Sequence, residues 1–294
     1  MKHIYHLFFC LLCTLTSCNE EEIEATVPAY LKIDDMSVRI TDPIQGSASD
    51  KITDAWVFIN DQLVGAFELP AVVPVLQTGN VNLKIRGGVF NNGLSNQREI
   101  YPFYDFYELD TVLNAEEVME SFPDKDGILQ NDPTVEYQPR AIFDEAWTGE
   151  DFEAGINFIV NPASDTNILR VTDQSRVFEG SASGGIFLPA GFSFAEVYTP
   201  PFSDIPTNGT AVYMELNYRC THDFTVSIYT NNRNQQFSVV NFRASSEWNK
   251  AYVEFSNVFA SLFSATDFNI AIGLRKPIND NAELLLDNLK LINY

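Results

Sequence analysis

Val212-Tyr213-Met214-Glu215-Leu216-Asn217-Tyr218-Arg219-Cys220 places Val, Met, Leu, Tyr and Cys on one parity and Tyr, Glu, Asn and Arg on the other. After Thr221-His222-Asp223 the alternation resumes with Phe224, Val226 and Ile228. A side-chain period of two is that of a strand with one face on a core, so this stretch reads as two strands joined by a tight turn. Cys220 then faces the core as a small buried hydrophobe, and His222 falls in the turn. Phe268, Ile270, Ile272 and Leu274 repeat the pattern, and Val253 with Phe255 mark another strand after Trp248. A helical turn at Ser256 to Phe263 interrupts them. In the last strand, Ala282 to Ile292, Leu284 and Leu286 are out of phase with Leu289 and Leu291. A β-bulge at Asp287-Asn288 would return all four leucines to the core and aim Asp287 out of the pleat, at the sandwich edge.

The front half is also β. Met36, Val38 and Ile40 alternate with polar residues, as do Val81, Leu83 and Ile85. Trp56-Val57-Phe58-Ile59, Asn60-Asp61 and Gln62 to Phe67 read as strand, two-residue turn and strand. Pro70 and Pro74 end the second strand or put it at an edge, and Gly87-Gly88 and Asn91-Asn92-Gly93 mark further turns. Short strands at this spacing suggest an immunoglobulin-like sandwich. The pattern weakens from Leu113 to Ala141, where Asn114 to Glu117 fit the cap of a helical turn and Val118, Phe122 and the turn Pro123 to Gly127 fit a strand and bend equally well. The expected class is all-β: one sandwich over residues 27–122, a linker over 123–141 and a second sandwich over 142–294.

The totals narrow the function. The chain has 294 residues, 45% of them hydrophobic, enough for two cores. With 18 basic and 40 acidic residues the formal net charge is −22, which makes nucleic acid and anionic lipid poor partners. No apolar run after Cys18 is long enough to span a bilayer as a helix. With Cys10 and Cys13 in an N-terminal apolar segment that ends at Cys18, Cys220 stands alone in the β-rich remainder of the chain, which excludes a disulfide framework. His222 is the one histidine beyond that segment, so a catalytic triad or zinc site would have to be built on a turn residue. No P-loop, dinucleotide fingerprint, Gly-x-Ser-x-Gly elbow or Glu-x-Asp-x-x-Glu strand is present, and no enzyme activity is expected.

Lys2, the apolar Leu7 to Leu12 and Leu15-Thr16-Ser17-Cys18 resemble a bacterial lipoprotein signal. The resemblance implies cleavage of residues 1–17, lipidation of Cys18 and attachment to the outer membrane. Asn19-Glu20-Glu21-Glu22 resembles the acidic export signal of Bacteroidota lipoproteins. Residues 18–26 are then a disordered tether, either an address to the cell surface or a solvated leash.

Asp151-Phe152-Glu153, Val177 to Gly184, Trp248-Asn249-Lys250 and Glu283 to Leu289 resemble the jelly-roll sandwiches of carbohydrate-binding modules. Lys51 to Phe58, Gly65 to Pro70 and Tyr101-Pro102-Phe103-Tyr104 are similar to the front half of a family of Bacteroidota surface lipoproteins without assigned activity. The module resemblance implies a structural calcium held by Glu153 and Asp287, which otherwise read as solvated carboxylates at strand ends. It also implies glycan stacking on exposed rings, for which Phe192, Phe194, Tyr198 and Tyr229 are candidates, with Tyr104 and Tyr107 in the first domain. Tyr101 to Tyr107 holds five aromatics in seven residues, more than one parity of a strand can bury. Tyr104, Phe106 and Tyr107 are therefore expected to face a protein partner. Asp110-Thr111-Val112 resembles a Bacteroidota O-glycosylation acceptor at Thr111, near the end of the first domain. The expected role is a lipid-anchored accessory or scaffold subunit of an outer-membrane β-barrel complex, for nutrient uptake or barrel assembly; the alternative is a surface module that captures polysaccharide for uptake.

Overall fold

The computed structural model describes residues 27–143, 149–265 and 267–294. The signal segment, Cys18 and the acidic tether lie outside the described residues. The chain is all-β: an immunoglobulin-like sandwich followed by a jelly-roll sandwich.

The first sandwich contains β1 (Ala29–Ile33), β2 (Ser37–Arg39), β3 (Asp54–Ile59), β4 (Gln62–Glu68), β5 (Ala71–Val75), β6 (Gly79–Phe90), β7 (Arg98–Ile100), β8 (Tyr107–Leu113) and β9 (Val118–Met119). One sheet runs β5-β1-β9. The other runs β4-β3-β6, and the long β6 pairs with β8 along its first half and with β7 along its second. The β3-β4 turn forms at Asn60-Asp61, both at positive φ (50° and 62°), the backbone that Asn and Asp tolerate best after glycine. Leu31, Val57, Val73, Leu83 and Ile85, each on the inward parity of its strand, close the core without exposure.

Residues 123–141 are not a linker. β10 (Phe122–Pro123) and β11 (Leu129–Gln130) make a hairpin, and β12 (Thr134–Glu136) lies parallel to β2. Glu136 is ion-paired to Arg39 and, at 2.7 Å, to Lys125, and buried Tyr137 stacks edge-on to Tyr104. Strands of two or three residues carry too little alternation to be seen in sequence, which is why this segment resembles a loop.

The second sandwich contains β13 (Ile142–Phe143), β14 (Ile159–Val160), β15 (Ile168–Val171), β16 (Ser183–Leu188), β17 (Phe194–Tyr198), β18 (Val212–Cys220), β19 (Phe224–Thr230), β20 (Gln235–Phe242), β21 (Ser245–Glu254), β22 (Phe268–Arg275) and β23 (Ala282–Asn293), and the short α-helix α1 (Ser256–Ser261). One sheet has the order β15-β16-β23-β18-β21, with β13 added on β23; the other has the order β14-β17-β22-β19-β20. β23 is irregular at Asp287-Asn288, where Asn288 has φ 49° and the register with β18 shifts. Leu284, Leu286, Leu289 and Leu291 all lie in the core as a result. Burying each stabilises the fold by about 1.5–3 kcal/mol. The tip of the Phe152 ring lies against Gly184, whose missing Cβ would stand 2.3 Å from it; the Phe therefore needs that glycine. Cys220 is buried, and burial pushes its thiol up to about 11, so it packs and does not react.

Candidate functional site

A two-layer sandwich has two outer faces, and here they have different fates. The outward parity of β18, with β21 and β23, is covered by the first sandwich: Tyr213, Tyr252 and Ile292 join that sandwich's core. At the centre of this contact stands Glu215, with no exposure. The Lys250 ammonium is 2.6 Å from its carboxylate and the Lys290 ammonium 3.7 Å, while the Tyr101 and Tyr137 hydroxyls each donate to Oε1 at 2.8 Å. Lys250 also donates to the Ser49 carbonyl at 2.5 Å, and Lys290 to the carbonyls of Gln45 and Ser47 at 2.8 and 2.9 Å. The glutamate thus holds two lysines that in turn hold a loop of the first sandwich. Burial pushes its carboxyl up, the two ammonium groups pull it down further, and it settles at about 2. Lys290 is pushed down to about 8 by its burial.

The same contact corrects the partner-binding expectation. Tyr101 to Tyr104 is not a strand but a tight loop pressed between the sandwiches, so the limit of one buried parity does not apply to it. Tyr101, Phe103 and Tyr104 are fully buried, and the Tyr104 hydroxyl is 3.2 Å from that of Tyr252. Tyr107 is buried against Phe122 and donates to the Pro123 carbonyl. Phe106 is half-buried, with the Arg86 guanidinium 5.0 Å from its ring. Tyr104 therefore serves the contact between the sandwiches, and Tyr107 packs within the first.

Glu153 and Asp287 line one cavity of about 280 Å³, together with Glu150, Glu179 and, from the first sandwich, Ile44 and Ser47. Their oxygens are engaged by the chain itself. Glu153 accepts from the Ser181 and Ala182 N–H groups at 2.7 and 3.0 Å, and the Ser181 hydroxyl and these N–H groups hold its carboxyl below the usual range. Asp287 accepts from the Ser183 hydroxyl at 2.6 Å and the Asn288 N–H at 2.8 Å; burial pushes it up to about 6. It is buried, not presented at the sandwich edge as the bulge suggested. Among the described residues no group of three or more Asp, Glu, His or Cys is arranged to hold a metal. Thr111 sits within β8 opposite Val81, in mid-strand and not at the end of the domain.

The other outer face, on β14-β17-β22-β19-β20, is open. The inward parity of these strands, Ala195, Val197, Val226, Ile228, Ile270 and Ile272, fills the core. The outward parity presents Phe194, Glu196 and Tyr198 on β17, Thr225, Ser227 and Tyr229 on β19, Gln236 and Ser238 on β20, and Gly273 and Arg275 on β22. Gly273 lies opposite Glu196 on one side and Thr225 on the other, and its lack of a side chain hollows the sheet into a trough of about 490 Å³. Glu196 forms part of its floor. Its Oε1 accepts from Asn161 Nδ2 at 2.7 Å, Tyr198 OH at 2.9 Å and Tyr229 OH at 3.0 Å. Burial and the adjacent carboxylate push the Tyr198 hydroxyl up to about 12, and Tyr229 is raised for the same reasons. The Tyr198 and Tyr229 rings meet edge to face at 5.0 Å, and the Arg275 guanidinium lies 4.5 Å over Phe194.

Of the aromatics expected to meet a glycan, Phe194 and Tyr229 line the trough. Tyr198 is buried beside it and serves through its bond to Glu196, while Phe192 sits in the turn before β17, exposed but outside the trough. Glu196, Gly273 and Arg275 were not anticipated. The outward parity of Phe194-Ala195-Glu196-Val197-Tyr198 carried a signal, but the other residues come from four separate segments.

No family model and no curated protein matches the chain. Among solved structures it is similar to a carbohydrate-binding module of the β-sandwich superfamily (10% identity, 81% of this chain and 84% of that one, TM-score 0.39). It is also similar to the family 11 carbohydrate-binding module of Clostridium thermocellum Lic26A-Cel5E (12% identity, 49% and 92%, TM-score 0.35). A third is the enzymatic domain of bacteriophage CBA120 tailspike protein 4 (11% identity, 47% of this chain and 19% of that one, TM-score 0.36). These are likenesses of fold alone.

Proposed function

We propose that the protein is a non-catalytic glycan-binding protein that holds a sugar chain in the trough on β17, β22, β19 and β20. The observation that carries the reading is the trough's lining: a glycine floor, hydroxyl and amide groups from Asn161, Thr225, Ser227, Gln236 and Ser238, and the rings of Phe194 and Tyr229. A pyranose offers hydroxyls around its edge and C–H groups on its faces, and this lining supplies partners for both. The volume is that of an ordinary small-ligand site. Of the three aromatics on which the accessory-subunit reading stood, Tyr104 and Tyr107 are buried inside the chain. In affinity electrophoresis through gels containing soluble polysaccharides, the purified protein should be retarded by at least one polymer. Phe194→Ala and Tyr229→Ala should each weaken that binding by about tenfold, equivalent to 1.4 kcal/mol, with unchanged circular dichroism. Unretarded migration in every gel would remove the reading.

The proposal includes attachment of this module to the outer membrane through lipidated Cys18, facing the cell surface, where captured polysaccharide would be passed on for uptake. Leu15-Thr16-Ser17-Cys18 supports it, with the acidic residues that follow. Cys18→Ala should move the protein from the membrane fraction to the soluble one, and protease added to intact cells should degrade the wild type. Persistence of the variant in membranes would refute the anchor.

A further inference from the structure

Glu196 is 5% exposed, and among the described residues no lysine or arginine forms an ion pair with it. A buried carboxylate is ordinarily paired, because taking a lone charge out of water is costly. Its Oε1 is occupied by Asn161, Tyr198 and Tyr229, and these bonds lock the orientation of the group. Its Oε2 faces the floor of the trough, 3.3 Å from where a Cβ on Gly273 would be, and among the described residues no donor is bonded to it. The nearby cations are turned to other partners: Arg275 lies over Phe194 at 4.5 Å, and Arg233 over Tyr198 at 5.1 Å. The trough therefore offers one fixed, negatively charged acceptor to whatever lies over Gly273.

Resting on the glycan reading above, we infer that Glu196 determines the class of glycan: it accepts a hydrogen bond from a hydroxyl of a neutral sugar residue and rejects a residue bearing carboxylate or sulfate. A hydroxyl donates to Oε2 and completes the acceptor. A second anion placed against Oε2 has no donor to give and meets a like charge, while the Arg275 guanidinium at the trough's lining is held over Phe194.

The test uses soluble mixed-linked β-glucan, galactomannan, xyloglucan and pullulan, each native and after oxidation of its primary alcohols to carboxylates, titrated calorimetrically at physiological ionic strength. For any polymer bound, the oxidised form should bind at least about tenfold more weakly. Glu196→Gln should lower that ratio several-fold, because the amide keeps the shape and the carbonyl acceptor while removing the charge. Phe194→Ala should weaken both forms equally and leave the ratio intact. The net charge of −22 repels oxidised polymers from every variant alike, so it is the change of ratio in Glu196→Gln that reports on the floor. Equal binding of native and oxidised polymer by the wild type, a result independent of any variant's folding, overturns the inference while the trough reading stands. An unchanged ratio in folded Glu196→Gln overturns it too. Failure to bind any of the polymers overturns both.

Discussion

Glu215→Ala should lower the stability of the chain by about 3–5 kcal/mol, the largest loss expected of any single change outside the hydrophobic cores. The substitution leaves Lys250 and Lys290, both about 5% exposed, as two ammonium groups without their counter-charge, and strips the Tyr101 and Tyr137 hydroxyls of their acceptor. Because those lysines hold the loop from Gln45 to Ser49, the loss reaches the first sandwich as well. Calorimetry should show one transition for the wild type and a lower, broadened or divided one for the variant. The pH dependence follows from the sign of the shift. The folded carboxyl is near 2 against an ordinary 4.5, so its stabilisation is complete above 4.5 and is lost as pH falls towards 2. The difference in melting temperature between wild type and variant should therefore be constant at neutral pH and shrink below 4.5. A difference that does not change between pH 6 and pH 2.5 would show that the fold does not lower the Glu215 pKa, and one that grows as pH falls would show that the carboxyl is uncharged in the fold.

Gly273→Val should abolish glycan binding, by about a hundredfold or more, while leaving the fold intact. Gly273 is a mid-strand residue with ordinary backbone geometry, and valine is at home in a strand. Its side chain points into the trough, so the added methyl groups occupy the space over which the sugar is proposed to lie. The new Cβ would stand 3.3 Å from Glu196 Oε2, so the carboxylate must also shift from the position fixed by Asn161, Tyr198 and Tyr229. A hundredfold loss corresponds to about 2.8 kcal/mol, which steric filling of a small site supplies readily. Affinity electrophoresis against whichever polymer retards the wild type measures it, and thermal melting checks the fold. Undiminished binding by Gly273→Val would place the sugar elsewhere on the molecule.

The strand alternation in Val212 to Cys220, Phe224 to Ile228 and Phe268 to Leu274 was legible in the chain because the period of two is set by local backbone geometry and needs no knowledge of neighbours. The hairpin at Asn60-Asp61 and the bulge at Asp287-Asn288 were legible for the same reason: turn chemistry and a parity switch are properties of adjacent residues. The segment from Pro123 to Ala141 was not, since its short strands exist only by pairing with β2 and with each other. Nor was the fate of the aromatics. Parity says that Tyr213 and Glu215 point away from Val212 and Met214, but not whether water, a partner or the same chain lies on that side. Folding the first sandwich onto β18 buried Tyr101 and Tyr104 there, which turned an expected docking surface into an internal contact. The trough shows the same division. Phe194 could be suspected from its strand, whereas Glu196, Gly273, Ser227 and Gln236 lie on four strands and converge only through the β17-β22-β19-β20 register. The sequence by itself determined which side of each strand faces a core, because that is a local preference for burial. Tertiary structure alone decided which outer face remained open, because that depends on contacts between residues more than a hundred positions apart.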